Sequence, residues 1–322
     1  MRAAAVVIAL LSLLGCQEKA PPPVTAAPAP LPARQVPPLR SDAACAAPFE
    51  APGSREKLRA ATGELKIGAL AGLKDADDEN VAWIRKLVGE LKRRGAEVLI
   101  VAGDLGDTLE EQETLLGALT ESGLPVLAVA GNREIRSDLD AAEAEARKKG
   151  ARILDLSHTR VVDLGDATVV GLPGAFERRQ LYAEGACVYV QKDIDAVAAA
   201  LERLPQPTLL VAAVPPRGRD AKGLDVSEGQ NVGDPRLSHL LAKVPFAIFG
   251  QVWESGGRAV DARGAPVPAK TESAQLYLNP GAADRTPWPM SDGTTIAGQA
   301  ALLTVHGRKA SWEQVRPAEG RP

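Results

Sequence analysis

From about residue 62 onward the apolar positions follow two alternating patterns. Residues 65–70 form a short apolar run. Residues 79–95 then carry Val81, Ile84, Leu87, Val88 and Leu91 at helical spacing, with Lys and Arg between them, and Gly95 closes the helix. The run VLIVA at 98–102 reads as a buried strand ending in Gly103. Residues 108–123 read as a helix with Thr108 as N-cap and Glu110 and Glu111 in the first turn. VLAVA at 126–130 is the next strand, ending in Gly131, and 138–150 is an Ala/Glu/Lys helix. Short strands follow at 152–155, 159–163 and 168–171. After them come a helix at 193–204, a strand at 208–212, a helix at 234–243 and a strand at 246–249. The last strand-like runs are 275–278, 300–305 and 311–315.

Such alternation predicts an α/β core with a largely parallel sheet, to which the late strands add antiparallel material. Ligands of such sheets lie beyond the carboxyl ends of the strands. The segments after residues 70, 102, 130, 212 and 249 are therefore where chemistry is to be sought.

The first 60 residues follow other rules. MRAAAVVIALLSLLGC has one basic residue, Arg2, and then an apolar stretch of signal-peptide length, too short to span a bilayer as a mature helix. Leu13-Leu14-Gly15-Cys16 resembles the bacterial lipobox, in which Cys16 receives the lipid; the alternative is an ordinary secretory signal with an incidental cysteine. Triacylation would give the stable anchoring that one chain does not. Gln17 stands where an Asp would favour inner-membrane retention, so the expected address is the cell envelope, lipid-anchored at the outer membrane. Pro and Ala dominate the stretch from residue 17 to about 52, including PPPVTAAPAPLPARQVPP, a semi-rigid spacer with no core of its own. The expected layout is a signal at 1–15, a tether at 16–60 and a globular domain at 61–317.

Composition narrows the chemistry. The 322 residues are 45% hydrophobic but only 3% aromatic, so the core must be built from Leu, Val, Ile and Ala. A net charge of −3 gives no case for nucleic acid as a partner. There are three histidines, His158, His239 and His306, and a multi-histidine metal centre would need nearly all of them. With Cys16 assigned to the anchor, Cys45 and Cys187 remain, either as a disulfide in an oxidising compartment or as two unrelated thiols.

The strand-end segments resemble the calcineurin-like metallophosphoesterases. VLIVAGDLGD (98–107) matches that family's G-D-x-x-D, and VLAVAGNRE (126–134) its G-N-H-E. TLLVAAVPPRG (208–218) stands where the family has a His before a Pro-rich turn, and FAIFGQVWE (246–254) stands for G-H-x-H. LNPGAADRTP (278–287) is similar to the strand and turn that come next in the family. The resemblance implies a four-layer αββα sandwich of two mixed sheets flanked by helices. It also implies two divalent cations that activate a water and clamp a phosphoryl group.

The implied ligands are mostly missing. Asp104 fits the bridging Asp and Asn132 the Asn that contacts metal and substrate. The opening D-x-H maps to Gly72-Leu73-Lys74, the His of G-N-H-E is Arg133, the His before the Pro turn falls at Ala213, and Gln251 and Trp253 take both places of G-H-x-H. The expectation is a non-catalytic module without cofactor. Arg133, Lys74 or both would pair with Asp104 in place of metal, unless both cations simply face solvent. Three roles stay open. The pocket could receive an anion on Arg133 and the loop amides after Gly103 and Gly131. The domain could be purely structural or dock an envelope protein. Or it could be a residual phosphoesterase holding one divalent ion on oxygens from Asp104, Asp107, Asn132, Glu134 and Glu254.

Overall fold

The computed structural model describes residues 45–317; the expected signal segment, Cys16 and most of the expected tether lie outside the described residues. Among the described residues no helix is long and apolar enough to cross a membrane.

Two sheets form the centre. The six-stranded sheet runs, edge to edge, through Lys309–Val315, Ala300–His306, Glu64–Leu70, Val98–Ala102, Val126–Val129 and Ile153–Asp155, the last four parallel. The seven-stranded sheet runs through Arg55–Lys57, Val161–Asp163, Thr168–Leu172, Thr208–Ala212, Phe246–Phe249, Leu276–Asn279 and Arg258–Val260. Alternate residues of each strand explain why the central strands read as unbroken apolar runs. In Val98–Ala102, Val98, Ile100 and Ala102 face the layer between the sheets, where they join Leu209, Val211, Phe246 and Ile248. Leu99 and Val101 face outward onto Ile84, Leu87 and Leu91 of the helix Asp78–Arg93 and Leu115 and Leu116 of Leu109–Thr120. On the other sheet, Leu210, Ala212, Ala247 and Phe249 face outward onto Ile194 and Val197 of Gln191–Leu201 and Leu237 of Leu237–Leu241. With both faces covered, the central strands have no polar side to alternate with. Helices, sheet, sheet, helices: these are the expected four layers.

Local chemistry sets the helix starts. Thr108 accepts from the Glu111 amide while Glu111 reaches back to the Thr108 amide, a capping box. Asp77, which the apolar pattern did not reveal, caps Asp78–Arg93 by accepting from the amides of Glu79 and Asn80.

Two expectations need correction. The globular part begins well before residue 61: Cys45, Phe49 and Leu58 are buried, and Arg55–Lys57 pairs in parallel with Val161–Asp163. The Pro and Gly of this stretch disguise an edge strand, where a proline nearby is tolerated. Between 234 and 243 only Leu237–Leu241 is helical. Cys45 and Cys187 are joined by a disulfide, Cα atoms 5.4 Å apart, across 142 residues. This bridge fastens the start of the domain to the segment leading into Gln191–Leu201, and Arg136 donates to the Cys45 carbonyl at 2.6 Å.

Candidate functional site at the strand ends

The loops after Leu70, Ala102, Val129, Ala212, Phe249 and Asn279 interlock through their backbones. Gly72 N–H donates to the Gly103 carbonyl at 3.2 Å, and the amides of Leu73 and Lys74 donate to the Asp104 carbonyl at 2.8 and 3.1 Å. Ala283 and Asp284 donate to the carbonyls of Ala71 and Gly72, and Gly250 donates to Ala213. Among the described non-glycine residues five have positive φ, and three of them are here: Lys74 at 55°, Asp104 at 61° and Gln251 at 59°. Side chains at such angles are held there by their surroundings at a cost, a feature that concentrates at sites built for a purpose.

Lys74 lies at the centre. Its ammonium is 3.3 Å from the centroid of the Trp253 ring and 3.6 Å from that of Trp288, and the two rings stand 4.6 Å apart at 53°. Asp284 Oδ2 accepts from Lys74 Nζ at 3.4 Å, and both side chains are at most 5% exposed. Each indole also turns its N–H toward a carboxylate: Trp253 Nε1 donates to Asp104 Oδ2 at 3.2 Å, and Trp288 Nε1 to Asp284 Oδ1 at 3.1 Å. Burial pulls the Lys74 pKa down to about 8 against the opposing pull of Asp284 and Asp104. Burial likewise raises Asp104, with Arg133 and Lys74 pulling it back, and raises Asp284 against the same lysine.

The expected direct pairing with Asp104 is therefore replaced by a relay. Lys74 takes Asp284 as its partner, and Arg133 takes Asp107 through a two-pronged contact, Nε to Oδ1 at 2.6 Å and Nη2 to Oδ2 at 2.8 Å. Asp104 lies beside both cations and accepts its hydrogen bond from Trp253. Neither cation is an ordinary surface charge: the Arg133 side chain is 11% exposed, with its guanidinium 4.0 Å from the Tyr182 ring. Side-chain direction decides this, and spacing along the chain does not encode it.

Gly72 and Trp253 are matched in size. A Cβ on Gly72 would stand 2.9 Å from Trp253 Nε1, so the indole fills the space a side chain at residue 72 would need. The Ala213 methyl lies over the two glycine turns, where a Cβ added to Gly103 or Gly131 would meet it at 3.0 and 3.2 Å. Asn132 braces the segment 173–190: its Nδ2 donates to the Gln180 carbonyl at 2.7 Å, and its own carbonyl accepts from the amides of Tyr182 and Ala183. Glu134 is buried between the loops after residues 102 and 129. It accepts from the Gly131 amide at 2.7 Å and, by a short contact, from the Leu105 amide. Burial pushes its pKa up, Asp104 adds to the push, and the two amides oppose it. Glu254 faces away, accepting from the Glu228 amide at 2.6 Å and from Ser227. Asp104 Oδ1, Asn132 Oδ1 and Gln251 Oε1 are buried with no hydrogen-bond partner among the described residues.

The three histidines have other company. His158 Nε2 is 2.9 Å from Asp140 Oδ1 and 3.7 Å from Asp155 Oδ2, the described group of His and carboxylate side chains at ligand spacing. Arg136 Nη2, 2.9 Å from the same ring nitrogen, already stands beside it. His239 lines an exposed groove with Ile194 and Leu240, and His306 is 3.9 Å from Glu272. Sequence reasoning missed Asp284, Trp288 and Tyr182. The one available signal was that tryptophan is scarce, four in the chain, yet two fall in strand-end loops.

The fold these loops sit on is that of the calcineurin-like metallophosphoesterases. The structure superposes on TT1561 of Thermus thermophilus with a TM-score of 0.53 at 16% identity, covering 78% of this chain and 98% of that one. It superposes on purple acid phosphatase PPD1 of yellow lupin seeds at 0.50 and 12% identity, covering 84% and 53%. GAP50, the anchor in the inner membrane complex of Plasmodium, gives 0.51 at 10% identity, covering 81% and 87%. At these identities the likeness is one of fold. No family model matches the sequence. Among curated proteins it is 28% identical over 217 residues to the ATP phosphoribosyltransferase regulatory subunit of Bordetella avium (strain 197N), 62% of this chain and 56% of that one. The chain thus spans little more than half the length of that relative.

Proposed function

We propose that this chain is a lipid-anchored protein of the bacterial cell envelope whose phosphoesterase-fold domain is a non-catalytic, structural or partner-docking module. The observation that carries this reading is the Lys74 ammonium clamped by Trp253, Trp288 and Asp284 beside Asp104. A pair of divalent cations does not fit these side chains. The Trp253 indole fills the space over Gly72, Ala213 offers only a methyl group, and a fixed positive charge already lies beside Asp104. A second positive ion there would meet repulsion in a dry site where it is poorly screened.

The anion-binding form of this reading is disfavoured. The Arg133 fork is filled by Asp107, and the Gly131 amide is taken by Glu134, so two donors an anion would need are engaged. Cys16 and the Pro/Ala stretch support placing the domain at some distance from a membrane surface, with the outer membrane as the address.

A second reading has its own support. The unpartnered buried oxygens of Asp104, Asn132 and Gln251 are hard donors, suited to one Mg²⁺- or Mn²⁺-class ion, and such a site would make the chain a residual phosphoesterase. Turnover of bis(p-nitrophenyl) phosphate by the full chain with Mg²⁺, Mn²⁺ or Zn²⁺ separates the two. The non-catalytic reading expects rates equal to those of an Asp104→Ala variant. Metal-dependent turnover abolished by that substitution would replace it with the second reading.

A further inference from the structure

Two indoles and two carboxylates arranged around one ammonium form a recognisable chemical device. Aromatic faces attract a cation through their quadrupole, and the attraction grows as water is excluded. Here the faces of Trp253 and Trp288 lie 3.3 and 3.6 Å from Lys74 Nζ, and their centroids are 4.6 Å apart, so the nitrogen sits in the angle between them. Each ring's N–H is held by a carboxylate, Asp104 or Asp284, which fixes the ring's orientation and draws its faces toward the cation. Asp284 then neutralises the charge directly. Trp288 belongs to a small hairpin, Pro287–Pro289 paired with Thr295–Ala297, so one wall of the enclosure comes from a separate element.

We propose that Asp104, Trp253, Asp284 and Trp288 constitute an ammonium-binding cage with Lys74 as its resident ligand, able to take a free short primary alkylammonium ion when the lysine stem is removed. The cage, rather than the lysine, is then the built feature: it stands at the strand ends, and Lys74 supplies the positive charge that its buried carboxylates require. The inference deepens the non-catalytic reading and rests on it, since a cation supplied by the chain itself is what leaves the carboxylates without need of metal.

The test uses the full chain, wild type and Lys74→Ala, with methylammonium, ethylammonium, tetraethylammonium and Mn²⁺ as probes read by thermal unfolding. Methylammonium or ethylammonium should raise the Tm of Lys74→Ala saturably, by at least about 3 °C, and leave the wild type unmoved. Tetraethylammonium, too bulky for rings 4.6 Å apart, should do nothing to either protein. A folded Lys74→Ala that ignores both small ammonium ions overturns the cage while leaving the non-catalytic reading intact. Stabilisation of the wild type by Mn²⁺, together with phosphodiester turnover, overturns the non-catalytic reading instead. Should Lys74→Ala fail to fold, the ¹H–¹⁵N spectrum of the wild-type lysine ammonium decides. The cage requires a signal slow to exchange with water and moved upfield by two ring currents; a rapidly exchanging, unshifted set of lysine signals refutes it.

Discussion

Glu134 offers the sharpest stability test because its work is confined to two bonds. Its carboxylate accepts from the amides of Gly131 and Leu105, joining the loops that present Asn132 and Asp104, and the side chain is 1% exposed. Glu134→Ala leaves two buried N–H groups with no acceptor, each worth about 1–3 kcal/mol, for a total of about 2–6 kcal/mol. Relief of a buried carboxylate whose pKa is raised by burial works in the opposite direction, which favours the lower half of that range. Glu134→Gln keeps one acceptor oxygen but turns an NH₂ toward the other amide, so its loss should be about half as large. Urea unfolding followed by far-UV circular dichroism, compared at unchanged m, reads both numbers. A Glu134→Ala variant within about 0.5 kcal/mol of wild type would refute the claim that these bonds hold the strand-end loops together.

Other expectations come from the same geometry. Burial pushes the Glu143 pKa from 4.5 up to about 8, with Asp155 adding to it. Its folded state holds the proton more tightly, so this contribution to stability is full below pH 4.5 and is lost as pH rises toward 8. Glu143→Gln should flatten that decline and raise the Tm at pH 8 relative to wild type; an unchanged Tm profile between pH 5 and about 8 would contradict it. Cys45→Ala paired with Cys187→Ala opens a loop of 142 residues, with an upper bound of about 5 kcal/mol from chain entropy. Dithiothreitol should lower the Tm of the wild type and leave the double variant unmoved. Arg133→Ala removes a two-pronged pair to a carboxylate that is one-third exposed, and the loss in urea unfolding should be about 1–2 kcal/mol. On the proposed anchoring through Cys16, the wild type expressed in a bacterial host should sediment with membranes and Cys16→Ser should not; equal partitioning of the two would contradict the anchor.

The strands were legible because each central one is covered on both faces, which writes runs such as VLIVA and VLAVA into the chain. The order of Gly-Asp, Gly-Asn and Gly-Gln turns at their ends was legible for a related reason. Close backbone approach at Gly103, Gly131 and Gly250, and left-handed φ at Gly103, Asp104 and Gln251, limit what can stand there. What could not be read was the partner of each charge. Lys74 and Asp284 are 210 positions apart, and which carboxylate an ammonium meets depends on rotamers set by the side chains around it. The same holds for Arg133, whose fork is taken by Asp107 rather than by Asp104. The edge strand Arg55–Lys57 escaped because three residues flanked by Pro and Gly carry no periodicity to detect.

On the proposed reading a lysine ammonium, not a metal, supplies the positive charge at the strand ends. Equilibrium dialysis of the full-length wild-type chain against Zn²⁺ and Mn²⁺, followed by elemental analysis, tests it most directly. The account expects well under one ion per chain, unchanged by Asp104→Ala. Two ions per chain, lost together on that substitution, would contradict it.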